Sequence, residues 1–175
     1  MMRIEATMGI GHTERNPVPR VHSLKMGAVL TRPAMPSEQK ELEQLQLRAS
    51  LGNVGDRDAL LAHPDAIGLG VDQIALGRVF VSECEGEIVG FAAVERRGDG
   101  DSELDAMFVE PRMQRRGIGR MLVEYCAEVA RKQGSRYLHV VGNPHAENFY
   151  LATGFEVIGI TQTRFGPGLL MRRAV

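Results

Sequence analysis

Val109-Glu110-Pro111-Arg112-Met113-Gln114-Arg115-Arg116-Gly117-Ile118-Gly119-Arg120 carries four arginines and two glycines between two apolar segments of different period. Upstream, Glu103 to Val109 reads as a strand that closes at Pro111, whose ring removes a ladder donor. Downstream, Ile118, Met121, Leu122, Tyr125 and Val129 recur at offsets of three and four, and Gly134 supplies a stop, so a helix is expected. The stretch is therefore a strand-to-helix turn. The first turn of a helix presents unpaired N–H groups and a partial positive charge, glycines let a ligand approach the backbone, and arginines add full charges. A diphosphate fits that description. The dinucleotide fingerprint Gly-x-Gly-x-x-Gly fails at Leu122, and the Gly-Lys-Ser/Thr of the ATP-type loop is absent. The plain alternative is a solvated basic loop.

Working outward, Arg78 to Cys84 and Glu87 to Arg96 are rich in Val, Phe and Ile and are joined by Glu85-Gly86, which predicts an antiparallel hairpin. The polar cluster from Arg97 to Asp101 turns the chain into the strand that begins at Glu103. Beyond Gly134, Arg136 to Val141 reads as a strand and Ala146 to Thr153 as a short helix closed by Gly154. Phe155 to Ile160 and Leu169 to Arg172 read as final strands. Before the hairpin, Ala28 to Leu30 is a short strand, and Pro36-Ser37-Glu38 opens a helix. Leu42, Leu45, Leu47 and Leu51 mark its face, and Gly52, Asn53 and Gly55 end it. A second short helix is expected over Asp58 to Ala62, and 64 to 77 reads as a glycine-broken loop suited to substrate contact. This order predicts a mixed α/β sheet, an antiparallel meander followed by one βαβ-like crossover.

The chain has 175 residues, 43% hydrophobic and 25% charged, which suits one folded domain. A net charge of −1 gives no overall field toward nucleic acid or an acidic membrane, so any basic function is local. Neither nucleic acid nor membrane is an expected partner. Two cysteines build no disulfide framework, and Cys126 lies among apolar helix positions as a buried thiol. Residues 1–25 lack a secretory core and a sustained period. They read as a flexible extension before a domain at 26–175, with Met26 as the functional start and a cytoplasmic location. His63, His139 and His145 show no metal-ligand spacing, and no metal is expected.

A second informative stretch is Asn143-Pro144-His145-Ala146-Glu147-Asn148-Phe149-Tyr150-Leu151-Ala152-Thr153-Gly154-Phe155. Gln114-Arg115-Arg116-Gly117-Ile118-Gly119 resembles the acyl-CoA signature Gln/Arg-x-x-Gly-x-Gly/Ala of the GNAT superfamily of N-acetyltransferases. The second stretch resembles that family's Asn, Ala, Phe-Tyr and Gly-Phe pattern. Two ordered matches identify the chain as similar to that family.

The resemblance implies a largely antiparallel mixed sheet flanked by helices, its central strands splayed around acetyl-CoA. It further implies acetyl transfer to the primary amine of a small molecule or peptide, with acetyl-CoA as cosubstrate and no metal. Backbone groups of Met107, Phe108 and Val109 would hold the acetyl and pantetheine portions. The turn of Gln114, Arg115, Arg116, Gly117, Ile118, Gly119 and Arg120 would hold the diphosphate, and Asn143 would add a bond to pantetheine. Tyr150 would protonate the departing thiolate. An ammonium must lose a proton before it attacks, and the family often supplies a strand carboxylate for this. Glu103 stands fourteen positions before Gly117, the offset of the base in the family's histone-acetylating branch. Strand alternation puts Asp105 on the same face as its competitor. Asp56, Asp58, Asp65 and Asp72 could attract a cationic acceptor. A CoA-binding regulatory module without turnover is the alternative function, and a nucleic-acid-binding arginine cluster a further one. Leu169-Leu170-Met171 reads as an exposed sheet edge through which a homodimer would form.

Overall fold

The structure, a computed structural model, describes residues 28–52, 57, 61–62 and 67–175. The expected extension, the start at Met26 and most of the helix expected over Asp58 to Ala62 lie outside the described residues, as do Asp56 and Asp65. In chain order the elements are β1 (Val29–Pro33), α1 (Gln39–Gly52), α2 (Val71–Ala75), β2 (Val79–Cys84), β3 (Glu87–Arg96) and β4 (Ser102–Val109). Then follow α3 (Ile118–Lys132), β5 (Tyr137–Gly142), α4 (Glu147–Ala152), β6 (Glu156–Thr163) and β7 (Gly166–Ala174). The strands form one sheet in the order β1-β2-β3-β4-β5-β7-β6. Every neighbouring pair is antiparallel except β4 and β5, which the crossover through α3 makes parallel.

Local chemistry explains the elements. Glu85 (φ 53°) and Gly86 (φ 82°) both adopt left-handed backbone, the combination that a two-residue hairpin turn of matching twist requires. In α3 the buried positions Ile118, Leu122, Val123, Cys126, Ala127 and Ala130 form one stripe, which packs on Phe80, Val94, Leu138 and Met171. On the opposite face, Leu42, Leu45 and Ala49 of α1 and Ile74 of α2 cover Val79, Val81, Phe91 and Ala93. Covered on both sides, β3 is buried from Ile88 to Val94 and reads as a continuous apolar run.

Three expectations are corrected. The face of α1 is Leu42, Leu45 and Ala49, while Leu47 and Leu51 point outward. The stretch expected to be loop contains α2, a helix too short to show a period between Gly70 and Gly77. Leu169, Leu170 and Met171 are not at an edge: β7 pairs with β5 on one side and β6 on the other, so the edges are β1 and β6. The homodimer expected through Leu169–Met171 loses its structural basis.

Candidate active site

β4 and β5 pair only at Ser102–Leu138 and Glu103–His139, then part. Towards β3 the pairing of β4 continues, with Ala92, Phe91 and Gly90 opposite Met107, Phe108 and Val109. The other edge of this segment faces the gap. The register with β3 also slips, from Ala93–Ala106 to Val94–Leu104, which leaves Asp105 as the extra residue of a β-bulge. Alternation changes phase there. Leu104, Met107 and Val109 pack on the α3 side, and Ala106 and Phe108 on the α1 side.

A cleft of about 610 Å³ lies where the strands diverge. It is lined by Met107, Phe108 and Val109 of β4 and by Gln114, Arg115, Gly117, Gly119 and Arg120 of the turn and first turn of α3. Asn143 and Tyr150 complete the set expected from sequence. Arg116 and Ile118 are not among the lining residues: Arg116 is exposed, and the first turn of α3 rotates Ile118 into the core. Glu103 and Asp105 also lie outside the lining. Sequence reasoning missed Ala49, Met113, His145, Ala146, Phe149, Ala152 and Thr153 as lining residues; Ala146 and Phe149 stood inside the second signature.

The turn is shaped by left-handed backbone at Arg115 (φ 60°) and Gly117 (φ 87°), the latter capping α3. A non-glycine residue in that conformation costs about 1–2 kcal/mol, which surrounding structure must offset. Arg120 Nη2 donates to the carbonyl of Ala152 at 2.8 Å and ties α3 to the end of α4. Arg112 instead pairs with Glu87 at 2.7 Å, on the surface. A Cβ on Gly119 would stand 3.2 Å from the Phe149 ring, so this glycine is set by packing as well as by the cleft. Phe149 and Phe155 meet the Tyr150 ring edge-on, with centroids at 5.3 and 5.5 Å. A Cβ on Gly142 would come within 3.1 Å of the same ring. Tyr150 is thus held on several sides and buried. The side-chain oxygen of Asn143 accepts from the His145 N–H at 2.9 Å and caps the turn into α4.

At the closed end of the gap, Asp101 Oδ1 accepts from the N–H groups of Arg136 (2.9 Å) and Tyr137 (3.1 Å), while Oδ2 meets His139 Nε2 at 3.1 Å. This carboxylate staples the approach to β4 onto β5. Burial by itself would raise the Asp101 carboxyl; the hydrogen bonds from His139, Arg136 and Tyr137 together outweigh it and hold the group below the usual carboxylate range. Asp99, Asp101 and His139 have potential ligand atoms within 4.8 Å of one another, a trio not expected from sequence, where Asp99 and Asp101 read as turn residues and His139 as a strand residue without metal-ligand spacing. Asp99 accepts from the Asp101 N–H and pairs with Arg97. Cys126 is fully buried, and burial pushes its thiol up to about 12, so it is inert as a nucleophile.

Residues 75–157 match the sequence profile of the acetyltransferase (GNAT) domain. That segment of the chain is similar to GNAT acetyltransferase domains. An uncharacterised N-acetyltransferase of Methanocaldococcus jannaschii is 36% identical over 88 residues, 44% of this chain and 38% of that protein. The peptidyl-lysine N-acetyltransferase YiaC of Escherichia coli is 35% identical over 86 residues, 49% of this chain and 54% of that protein. The chain spans about half the length, or less, of these curated relatives. PaiA N-acetyltransferase of Thermoplasma acidophilum, solved in complex with coenzyme A, superposes with a TM-score of 0.68. The match covers 85% of this chain and 99% of that one at 13% identity. The expected GNAT architecture, a mixed and mostly antiparallel sheet flanked by helices, is the one observed. Among the described residues no helix is long and apolar enough to cross a membrane.

Proposed function

We propose that this chain is a GNAT N-acetyltransferase that moves the acetyl group of acetyl-CoA to a primary amine of a small molecule or peptide. The observation that carries the reading is the gap between β4 and β5, which gathers residues of both signature stretches around one cleft. One edge of β4 from Met107 to Val109 faces that gap and suits strand-like bonding to the amides of pantetheine. The start of α3, with Arg115, Arg120 and the backbone of Gly117 and Gly119, suits the diphosphate.

Transfer is direct. The acceptor ammonium gives one proton to a carboxylate on β4, Glu103 or Asp105, directly or through water. The freed lone pair attacks the thioester carbonyl, a C–N bond forms and the C–S bond breaks. Tyr150 gives its hydroxyl proton to the leaving thiolate, and the second proton lost by nitrogen restores the phenol. Holding both reactants in one cleft supplies much of the acceleration.

A thiol-release assay with acetyl-CoA and a panel of amines, alongside calorimetry with acetyl-CoA, tests the reading. Binding together with amine-dependent thiol release is expected. Binding without turnover on any amine would instead make the chain a CoA-responsive module.

A further inference from the structure

Two carboxylates of β4 compete for the proton of the acceptor, and their surroundings differ. Glu103, still inside the last β4–β5 pair, is joined to Arg97 Nη1 at 2.9 Å, and that guanidinium also holds Asp99. Asp105 lies two residues further on, in the bulge where β4 has left β5 and slipped against β3. It is exposed, and its carboxylate accepts from a neutral group, Gln73 Nε2 of α2, at 3.3 Å. The same amide nitrogen donates to Glu95 Oε1 at 2.9 Å. An amide NH₂ has two donors, and here each has its own carboxylate. Glu95 is anchored in turn by Arg78. The backbone of Gln73 is also fixed: its N–H donates to Gly70 O and its carbonyl accepts from the Arg78 N–H, both at 3.0 Å.

We infer that Asp105 is the group that takes the proton of the acceptor, and that Gln73 is a positioning residue that aims it across the bulge. The inference deepens the acetyltransferase reading and rests on it. A bulge is a natural place to re-aim one side chain, and the amide of Gln73 fixes that aim without neutralising the carboxylate, as a cation would. The proton passes from the acceptor nitrogen to an Asp105 oxygen and then to solvent, which the exposure of Asp105 permits. The α2 segment, a loop by its sequence pattern, thereby becomes part of the acceptor side of the site.

The test is a double-mutant cycle of Gln73→Met and Asp105→Asn on the intact chain. kcat/KM is followed against pH, with spermidine, a peptide bearing one internal lysine, and a peptide with a free N-terminal alanine as acceptors. Methionine keeps the length and helix propensity of Gln73 and removes both donors. Asp105→Asn should lower kcat/KM about 10²-fold near neutral pH, as loss of a general base does, with recovery where the amine is already neutral. Gln73→Met should lower it about tenfold with the same pH dependence, the scale of one lost hydrogen bond to a charged group. In the Asp105→Asn background it should change the rate less than twofold, and acetyl-CoA affinity should hold throughout. An equal effect of Gln73→Met in both backgrounds, or one independent of pH, overturns the positioning role. A pH-dependent loss in Glu103→Gln with none in Asp105→Asn overturns the assignment of the base. If wild-type protein binds acetyl-CoA yet transfers to none of the acceptors, the acetyltransferase reading itself falls, and this inference with it.

Discussion

Gly119 belongs to the signature that sequence alone ties to phosphate, yet in the folded chain it is also pressed by Phe149. Gly119→Ala separates these two demands. The added methyl would sit 3.2 Å from two carbons of the Phe149 ring and 3.8 Å from Val109. Phe149 cannot simply swing away, because its ring abuts Tyr150, which is itself held by Phe155 and the close approach of Gly142. Overpacking of this kind costs about 1–3 kcal/mol. Alanine returns up to about 1 kcal/mol of helix propensity, less in the first turn, where position 119 lies. The net expectation is a loss of about 1 kcal/mol, or about 2–4 °C in Tm for a chain of this size. Urea unfolding without any ligand measures this cleanly, since phosphate contacts then contribute nothing. A variant as stable as wild type, or more so, would show that the ring yields freely and that packing does not demand this glycine.

Tyr150→Phe keeps the buried ring and should leave acetyl-CoA affinity intact while turnover falls about 10²-fold, within the range for loss of a general acid; a wild-type rate in the thiol-release assay removes the acid role from Tyr150. Asp101→Ala strips the partner from two backbone donors and His139, and should cost about 1–3 kcal/mol near neutral pH. Because the folded Asp101 carboxyl is held low, its stabilisation is present above the unfolded carboxylate value and is lost as pH falls through the folded one. The gap between wild type and variant in urea titrations should therefore close below about pH 4, and a gap constant down to pH 2 contradicts the staple. Arg115→Glu should weaken acetyl-CoA binding about tenfold and Arg116→Glu much less, since Arg115 lines the cleft and Arg116 does not; equal losses by calorimetry would mean that the turn acts only through its overall charge.

Sequence reading reached the helix of residues 118–132 and the turn before it, because a single apolar stripe and its glycine boundaries are local signals. It also reached the hairpin, since Glu85-Gly86 codes its own turn. What it could not reach was non-local. Periodicity tells that Leu169 to Arg172 is a strand, not that β6 lies outside it, so an interior strand looked like an edge. Nothing in Asp105-Ala106-Met107 announces a bulge, as no glycine marks it. Within the site, the resemblance to the acyl-CoA signature listed Ile118 with its neighbours, although helical rotation turns that side chain into the core. Gln73 stayed hidden because its partners, Glu95 and Asp105, come together only when two strands are laid side by side.

The two rungs that β4 shares with β5 also act as a pivot. From Glu103, the last paired residue, to Val109 at the mouth of the gap is about 20 Å of strand, so a tilt of about 3° at the pivot displaces the mouth by about 1 Å. A misplacement of that size in a reacting pair can cost about 10²-fold in rate. Leverage runs in one direction: side chains at the closed end, Asp101 and His139 among them, command a displacement at the cleft much larger than their own.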